Sequence, residues 1–215
     1  MKRELMVFIN QVIVVFVDLK NTIERDVVKS EMKTILSIDP GIRGCGVATY
    51  VDGKLYSCAY VKSPTKTGHG PRESERVATA VLRWWWDVWG YCSKLDILVL
   101  EYPQIYQRGE NRTKGDPNVC VLPLVGVVCA LAALFPESEV VAVQPSAWKG
   151  GVPKEDERGD NVVLGRLRER LSPEELVVLE RGLKEAGALG HNVVDGVALG
   201  AWSLGRFKRK RVITR

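Results

Sequence analysis

The sequence predicts an α/β fold, and three observations carry that reading. Residues 35–61 read as three short strands joined by tight turns. Residues 95–100, LDILVL, form an uninterrupted apolar run, too short for an independent helix and suited to a strand buried on both faces. Between and after these runs, 72–91, 120–135, 173–186 and 191–205 have the features of helices. A chain of 215 residues that is 46% hydrophobic can build one domain with a sizeable core, and 27% charged residues argue against wholesale disorder.

Residues 1–31 contain LMVFINQVIVVFVDL, which Asn10 and Gln11 interrupt and which is shorter than a bilayer-spanning helix requires. No small-residue cleavage site follows it, so a secretory signal is not expected. Three readings stay open for this extension: an added packing or dimerisation element, a weak membrane-associating segment, or an upstream stretch absent from the native product. Met32 stands just before the first core strand, and a chain beginning there keeps every motif below. No stable membrane association is expected.

The organising stretch is 35–50, ILSIDPGIRGCGVATY. An apolar β-branched run ends in Asp39 and then turns on Pro40, Gly41, Gly44 and Gly46 into a second strand. A carboxylate at the end of a core strand loses hydration and needs a cation or donors nearby. A turn-capping Asp explains a lone DPG equally well. Asp52-Gly53 then predicts a type I′ hairpin into the third strand, 54–61, completing an antiparallel meander.

In the helix that follows, Trp85 sits at the centre of the apolar stripe, with Trp84 and Trp86 towards its edges. The edge pair reads as boundary packing, or as a subunit contact or a base-stacking surface. The buried strand 95–100 ends in Glu101, a second carboxylate closing a second core strand. The polar, basic loop after it contains Arg108, Arg112 and Lys114. Residues 120–135, CVLPLVGVVCALAALF, are apolar on nearly every side, which predicts a helix that is buried or shared with a partner subunit. Pro123 and its length of about 16 residues argue against a membrane span.

A strand at 139–143 leads into QPSAWKGGVPKEDERGD, a second basic loop with Lys149, Lys154 and Arg158. A short amphipathic helix spans 161–171. Ser172, Pro173 and Glu175 then form a capping-box pattern that starts a helix to about 186. In the last helix, HNVVDGVALGAWSLG, small residues allow close approach to a sheet, and Asp195 stands in the first turns with His191 and Asn192 three to four residues before it. Residues 206–215 form a basic tail, read as a solvated end or a nonspecific phosphate contact.

The net charge of +5 and a pI near 9.0 permit a polyanionic partner without demonstrating one. Five cysteines without a CxxC do not suggest a disulfide framework or a zinc site, and a reducing cytoplasm fits them best. More telling are Asp39, Glu101 and Asp195. If the two core strands are adjacent and parallel, their carboxyl ends meet, and clustered carboxylates make physical sense beside hard divalent cations such as Mg²⁺.

Taken together, IDPGIRGCGVA, VLEYPQ, QPSAWKGGVPK and NVVDGVALG resemble, in order, the motifs of the RuvC family of Holliday-junction resolvases in the ribonuclease H-like superfamily. The resemblance spans 32–205, and the EYPQIY and SAWKG variants are similar to phage-type members. It implies a ribonuclease H-like, mixed five-stranded sheet flanked by helices, with three antiparallel strands and then parallel ones. It also implies two-metal hydrolysis of branched DNA with two Mg²⁺ per site, Mn²⁺ substituting, in a homodimer that sets two sites on a four-way junction. A bacterial or phage-infected cytoplasm is the implied setting. Asp39, Glu101 and Asp195 match the metal-binding acids. Lys149 and Lys154 fall where the family has lysines near the scissile phosphate or DNA backbone, and Arg112 and Lys114 are expected to contact DNA as well. At the fourth site the family commonly has Asp or His three residues before the last Asp. Here that residue is Asn192, a weaker neutral ligand, while His191 one place earlier could serve in proton transfer or ligation.

Two other functions compete with this one. A junction-binding protein with weakened catalysis would fit Asn192. An actin-like or sugar-kinase ATPase would need a second Gly-rich phosphate motif and a duplicated domain, and the sequence has neither.

Overall fold

The computed structural model describes residues 33–64, 71–90, 93–103, 121–149 and 161–206. In chain order these form β1 (Thr34–Asp39), β2 (Gly44–Val51), β3 (Lys54–Lys62), α1 (Pro71–Trp89), β4 (Ile97–Glu101), α2 (Val121–Leu134), β5 (Glu139–Val143), α3 (Pro145–Trp148), α4 (Val162–Arg168), α5 (Pro173–Ala186), a 3₁₀ turn (Gly187–Leu189) and α6 (Gly190–Ser203). The strands make one sheet in the order β3-β2-β1-β4-β5. β1, β2 and β3 pair antiparallel, whereas β4 and β5 run parallel to β1. This is the expected mixed five-stranded arrangement, three antiparallel strands followed by parallel ones, with helices on both faces.

Local chemistry accounts for the meander. Asp52 (φ 49°) and Gly53 (φ 77°) both take positive φ, as a type I′ turn requires, and the turn twists with its strands. β4 is reached instead through α1, a crossover long enough to bring the chain back parallel beside β1.

Alternation along the strands sends side chains to two cores. Leu36 and Ile38 of β1 and Leu98 and Leu100 of β4 are buried against α1 and α2. Ile35 of β1 and Val99 of β4 join the opposite core, with α4, α5 and α6. By the same two-residue period, Ser37, Asp39 and Glu101 belong to the α6 side. Register does the rest: Ser37 pairs with Val99 and Ile38 with Leu100, so the next rung sets the ends of β1 and β4 side by side.

α6 lies unusually close to the sheet. A Cβ on Gly196 would stand 2.7 Å from the Gly46 carbonyl oxygen, and one on Gly46 would run into the Asn192 carbonyl. Two buried hydroxyls fasten the contact: Ser37 Oγ lies 2.8 Å from Gly196 O, and Tyr50 donates its phenol hydrogen to Val197 O at 2.6 Å. Each uses the second lone pair of a helix carbonyl, so both hydroxyls are buried without an unmade bond.

The capping box at the start of α5 forms as expected, but Glu175 reaches further than capping. Its two oxygens also accept Arg206 Nη1 at 2.6 Å and Nη2 at 2.7 Å, and Leu55 N at 2.7 Å. Arg206 is therefore anchored on the domain rather than solvated as the first residue of a basic tail, because a buried carboxylate demands a bidentate partner. Residues 207–215, like residues 1–31, lie outside the described residues.

Trp85 is buried as its place in the stripe predicts, stacking 5.6 Å from Trp89 and edge-on to Phe135. Trp84 and Trp86 are half-buried at its margins. Of the two expectations for α2, full burial is not met, since Val127, Val128 and Leu131 are buried but Leu122 is 82% exposed, and the expectation of a helix shared with a partner subunit stands. One face of the helix packs on α1 and the sheet, which leaves its other face uncovered in the single chain. Among the described residues no helix is long and apolar enough to cross a membrane.

Candidate active site

Three carboxylates and one ammonium converge at the end of the sheet where β1 and β4 stop. Asp39 closes β1, Glu101 closes β4, and Asp195 projects from the second turn of α6, held against β1 and β2 by the Gly46–Gly196 approach. Lys149 comes from just beyond α3. Its Nζ lies 2.8 Å from Asp195 Oδ2 and 3.4 Å from Glu101 Oε2.

The path of the chain explains why α3 arrives there. Glu101 pairs with Val143 at the end of β5, and Tyr102 N donates to Val143 O at 2.7 Å. Gln144 then caps α3, and Pro145 starts its single turn. That turn buries Trp148 to 2% exposure and directs its indole Nε1 to Glu101 Oε2 at 2.8 Å. Lys149 Nζ also lies 4.7 Å from the centre of the Trp148 ring, a cation–π distance.

The charges do not balance. Burial, then the charge of Glu101 and that of Asp195, push the Asp39 carboxyl well above the usual carboxylate range, with Lys149 opposing. Asp39 is also within hydrogen-bonding reach of Glu101, a contact that needs a proton on one of the two. Burial likewise raises Glu101, against Lys149 and the Trp148 N–H. For Lys149, burial favours the neutral amine, but Asp195, Asp39 and Glu101 outweigh it and hold the side chain as an ammonium.

Among the described residues no three carboxylate, imidazole or thiol groups stand together as a ready metal cage; the acids face Lys149 instead. The donor set still fits a hard cation. All three groups offer carboxylate oxygen, and Mg²⁺ uses one or two carboxylates with water and substrate phosphate rather than a closed protein cage. Two buried carboxyls pushed towards their protonated forms are what added positive charge would relieve.

Of the residues expected from sequence, Asp39, Glu101, Asp195 and Lys149 are brought together. His191 is exposed, and Asn192 donates its amide to Leu189 O at 3.3 Å. Among the described residues neither bonds to the three acids. Arg112, Lys114 and Lys154 lie outside the described residues. Trp148 was not foreseen as a donor. The available signal was a tryptophan in an otherwise polar loop, which has little reason to be there unless buried.

No family model matches the chain, and no curated protein matches it either. Among solved structures it is similar to Thermus thermophilus RuvC, at 17% identity over 81% of this chain and 98% of that one, with a TM-score of 0.42. T. thermophilus RuvC in complex with Holliday junction substrate matches at 14% identity over 82% of this chain and 98% of that one, TM-score 0.41. The yeast mitochondrial Holliday junction resolvase Ydc2 matches at 14% identity over 82% of each chain, TM-score 0.47.

Proposed function

We propose that this protein is a Mg²⁺-dependent endonuclease that incises branched DNA, with the four-way junction as its favoured substrate. The observation that carries the reading is the convergence of Asp39, Glu101 and Asp195 on Lys149. A purely structural ion-pair cluster tends towards balanced charge, whereas here three half-buried acids outnumber the cation, as suits a centre that recruits further positive charge. The four ordered motifs of the resolvase resemblance supply the substrate class.

Asp39, Glu101 and Asp195 would hold the ions, with Mn²⁺ substituting for Mg²⁺. When bound, two such ions supply an activated water and stabilise the departing 3′ oxygen of a phosphodiester. Trp148 keeps the Glu101 carboxylate oriented through its indole N–H. Because Lys149 stays protonated, it can neutralise carboxylate charge or contact a phosphate oxygen but does not serve as a general base. The fourth position belongs to His191 or Asn192, and separate alanine substitutions of the two decide between them. Arg112, Lys114 and Lys154 are proposed as DNA contacts. The uncovered apolar face of α2 supports a homodimer presenting two centres to two strands.

The test is incision of a labelled synthetic four-way junction, beside linear duplex and single strand, in Mg²⁺ and in EDTA. Junction-selective nicks in Mg²⁺ alone are expected. Junction binding without incision under any divalent cation would leave only the binding role, and absence of both would remove the reading altogether.

A further inference from the structure

We infer that the groove between the end of β3 and the outer face of α1 binds the phosphate backbone of a DNA arm leaving the catalytic centre, a role that rests on the nuclease reading above. The groove encloses about 560 Å³. Lys62, at the end of the edge strand, and Arg72, Arg76 and Arg83 on α1 line it, with Trp84 beside them. At 3.6 residues per turn the three arginines lie within about 40° of one another around the helix, so they form one stripe. From Arg72 to Arg83 the stripe is about 17 Å long, the axial length of about five base pairs.

Two features mark the stripe as a polyanion site rather than an ordinary solvated face. Among the described residues none of its four basic side chains is paired with a carboxylate, although Glu75 and Asp87 line the same groove. Arg72 and Arg76 are also a like-charge i,i+4 pair and repel each other on the helix. Phosphates on both sides of each guanidinium would remove that repulsion and satisfy its fork of donors.

The stripe also starts in the right place. Asp39 pairs with Gly46, and Gly46 with Tyr60, so the β3 edge stands about 10 Å across the sheet from Asp39 at the same end. Ser63 N donates to Arg43 O at 2.9 Å, tying the exposed Arg43 in the turn after Asp39 to the mouth of the groove. Asp39 faces the α6 side and α1 covers the other face, so a duplex arm with its scissile strand at Asp39 passes Arg43, rounds the β3 edge at Lys62 and only then meets the arginines of α1. Trp84, half-buried, offers sugar or base an apolar surface at the far end.

The test uses the full chain carrying Arg72→Gln, Arg76→Gln and Arg83→Gln, substitutions that keep good helix formers. Anisotropy of a labelled four-way junction in EDTA is followed over a salt series. Affinity should fall at least about tenfold and the slope of log K against log salt should shrink by about 2 to 3, with incision at saturating junction unchanged. Affinity and slope equal to those of the parent overturn the inference. Should the triple variant fail to fold, Glu75→Gln with Asp87→Asn carries the test, with tighter junction binding expected and unchanged binding overturning. A parent that binds but never nicks sinks the nuclease reading while the slope still decides the groove. A parent that binds no DNA overturns both.

Discussion

Trp148 donates its indole N–H to Glu101 Oε2 at 2.8 Å, joining the one-turn helix after β5 to the last residue of β4. Without that donor, Glu101 would keep its ion pair with Lys149 but lose the bond that sets its rotation. Trp148→Phe keeps the ring and removes the hydrogen. Incision titrated with Mg²⁺ should show half-saturation shifted about tenfold or more, as for other residues that orient a metal ligand. An unchanged half-saturation would reduce Trp148 to packing.

Asp39→Asn separates catalysis from stability. Incision should be lost while junction binding persists, because the substitution removes an acid proposed to hold metal and leaves the basic surfaces intact. The folded Asp39 carboxyl is raised, so ionising it costs stability as pH climbs above the usual carboxylate range. In EDTA at neutral pH the amide variant should therefore melt no lower than the parent, and on the order of a few degrees higher. Added Mg²⁺ should raise the parent alone. Equal stabilisation of both by Mg²⁺ would count against Asp39 as a ligand.

Glu175 predicts an acid-sensitive anchor. Burial opposes its charge, but the Arg206 fork and the Ser172 and Leu55 amides hold its carboxyl at about 2 against an ordinary 4.5. A lowered native value stabilises the fold fully above about pH 4.5 and progressively less as pH falls towards 2. Urea unfolding should find Glu175→Gln about 2 to 3 kcal/mol less stable near neutrality, with the gap closing in acid. A gap independent of pH would mean that packing, not charge, is lost.

Gly196→Ala tests the approach that places Asp195. The added methyl meets the Gly46 carbonyl at 2.7 Å, backbone against backbone, so α6 must move outwards. A loss of about 2 kcal/mol or more is expected, together with weaker incision, since Asp195 moves with its helix. Wild-type stability would show that the helix can shift freely.

Leu122→Glu addresses the open face of α2, where the side chain is 82% exposed. Light scattering should find the parent dimeric and the variant shifted towards monomer without loss of helix content. An unaltered dimer would place the interface elsewhere.

How much of this was legible in the sequence depended on whether the signal was local. The short apolar runs, Asp52-Gly53 and the capping box at Ser172 each state their structure within a few residues, and each formed where expected. Asp39 and Glu101 were legible as strand-ending acids for the same reason. Arg206 was not, because nothing in a basic terminal run reveals that a carboxylate 31 positions earlier is buried and waiting for a fork. For α2 the choice between full burial and a face shared with a partner was not legible, since an apolar sequence does not say which of its faces the rest of the chain will cover.

By itself the sequence determined the elements and the inventory of acids, because backbone propensity and side-chain period act over neighbouring residues. Only the tertiary structure decided that β4 lies parallel beside β1 and that α6 comes close enough for Asp195 to join their ends. It also decided that Lys149 and Trp148 reach those acids from just beyond the end of β5. Those are contacts across 46 to 47 residues and more. Strand register and glycine-to-glycine approach set them, and no local window of sequence contains either.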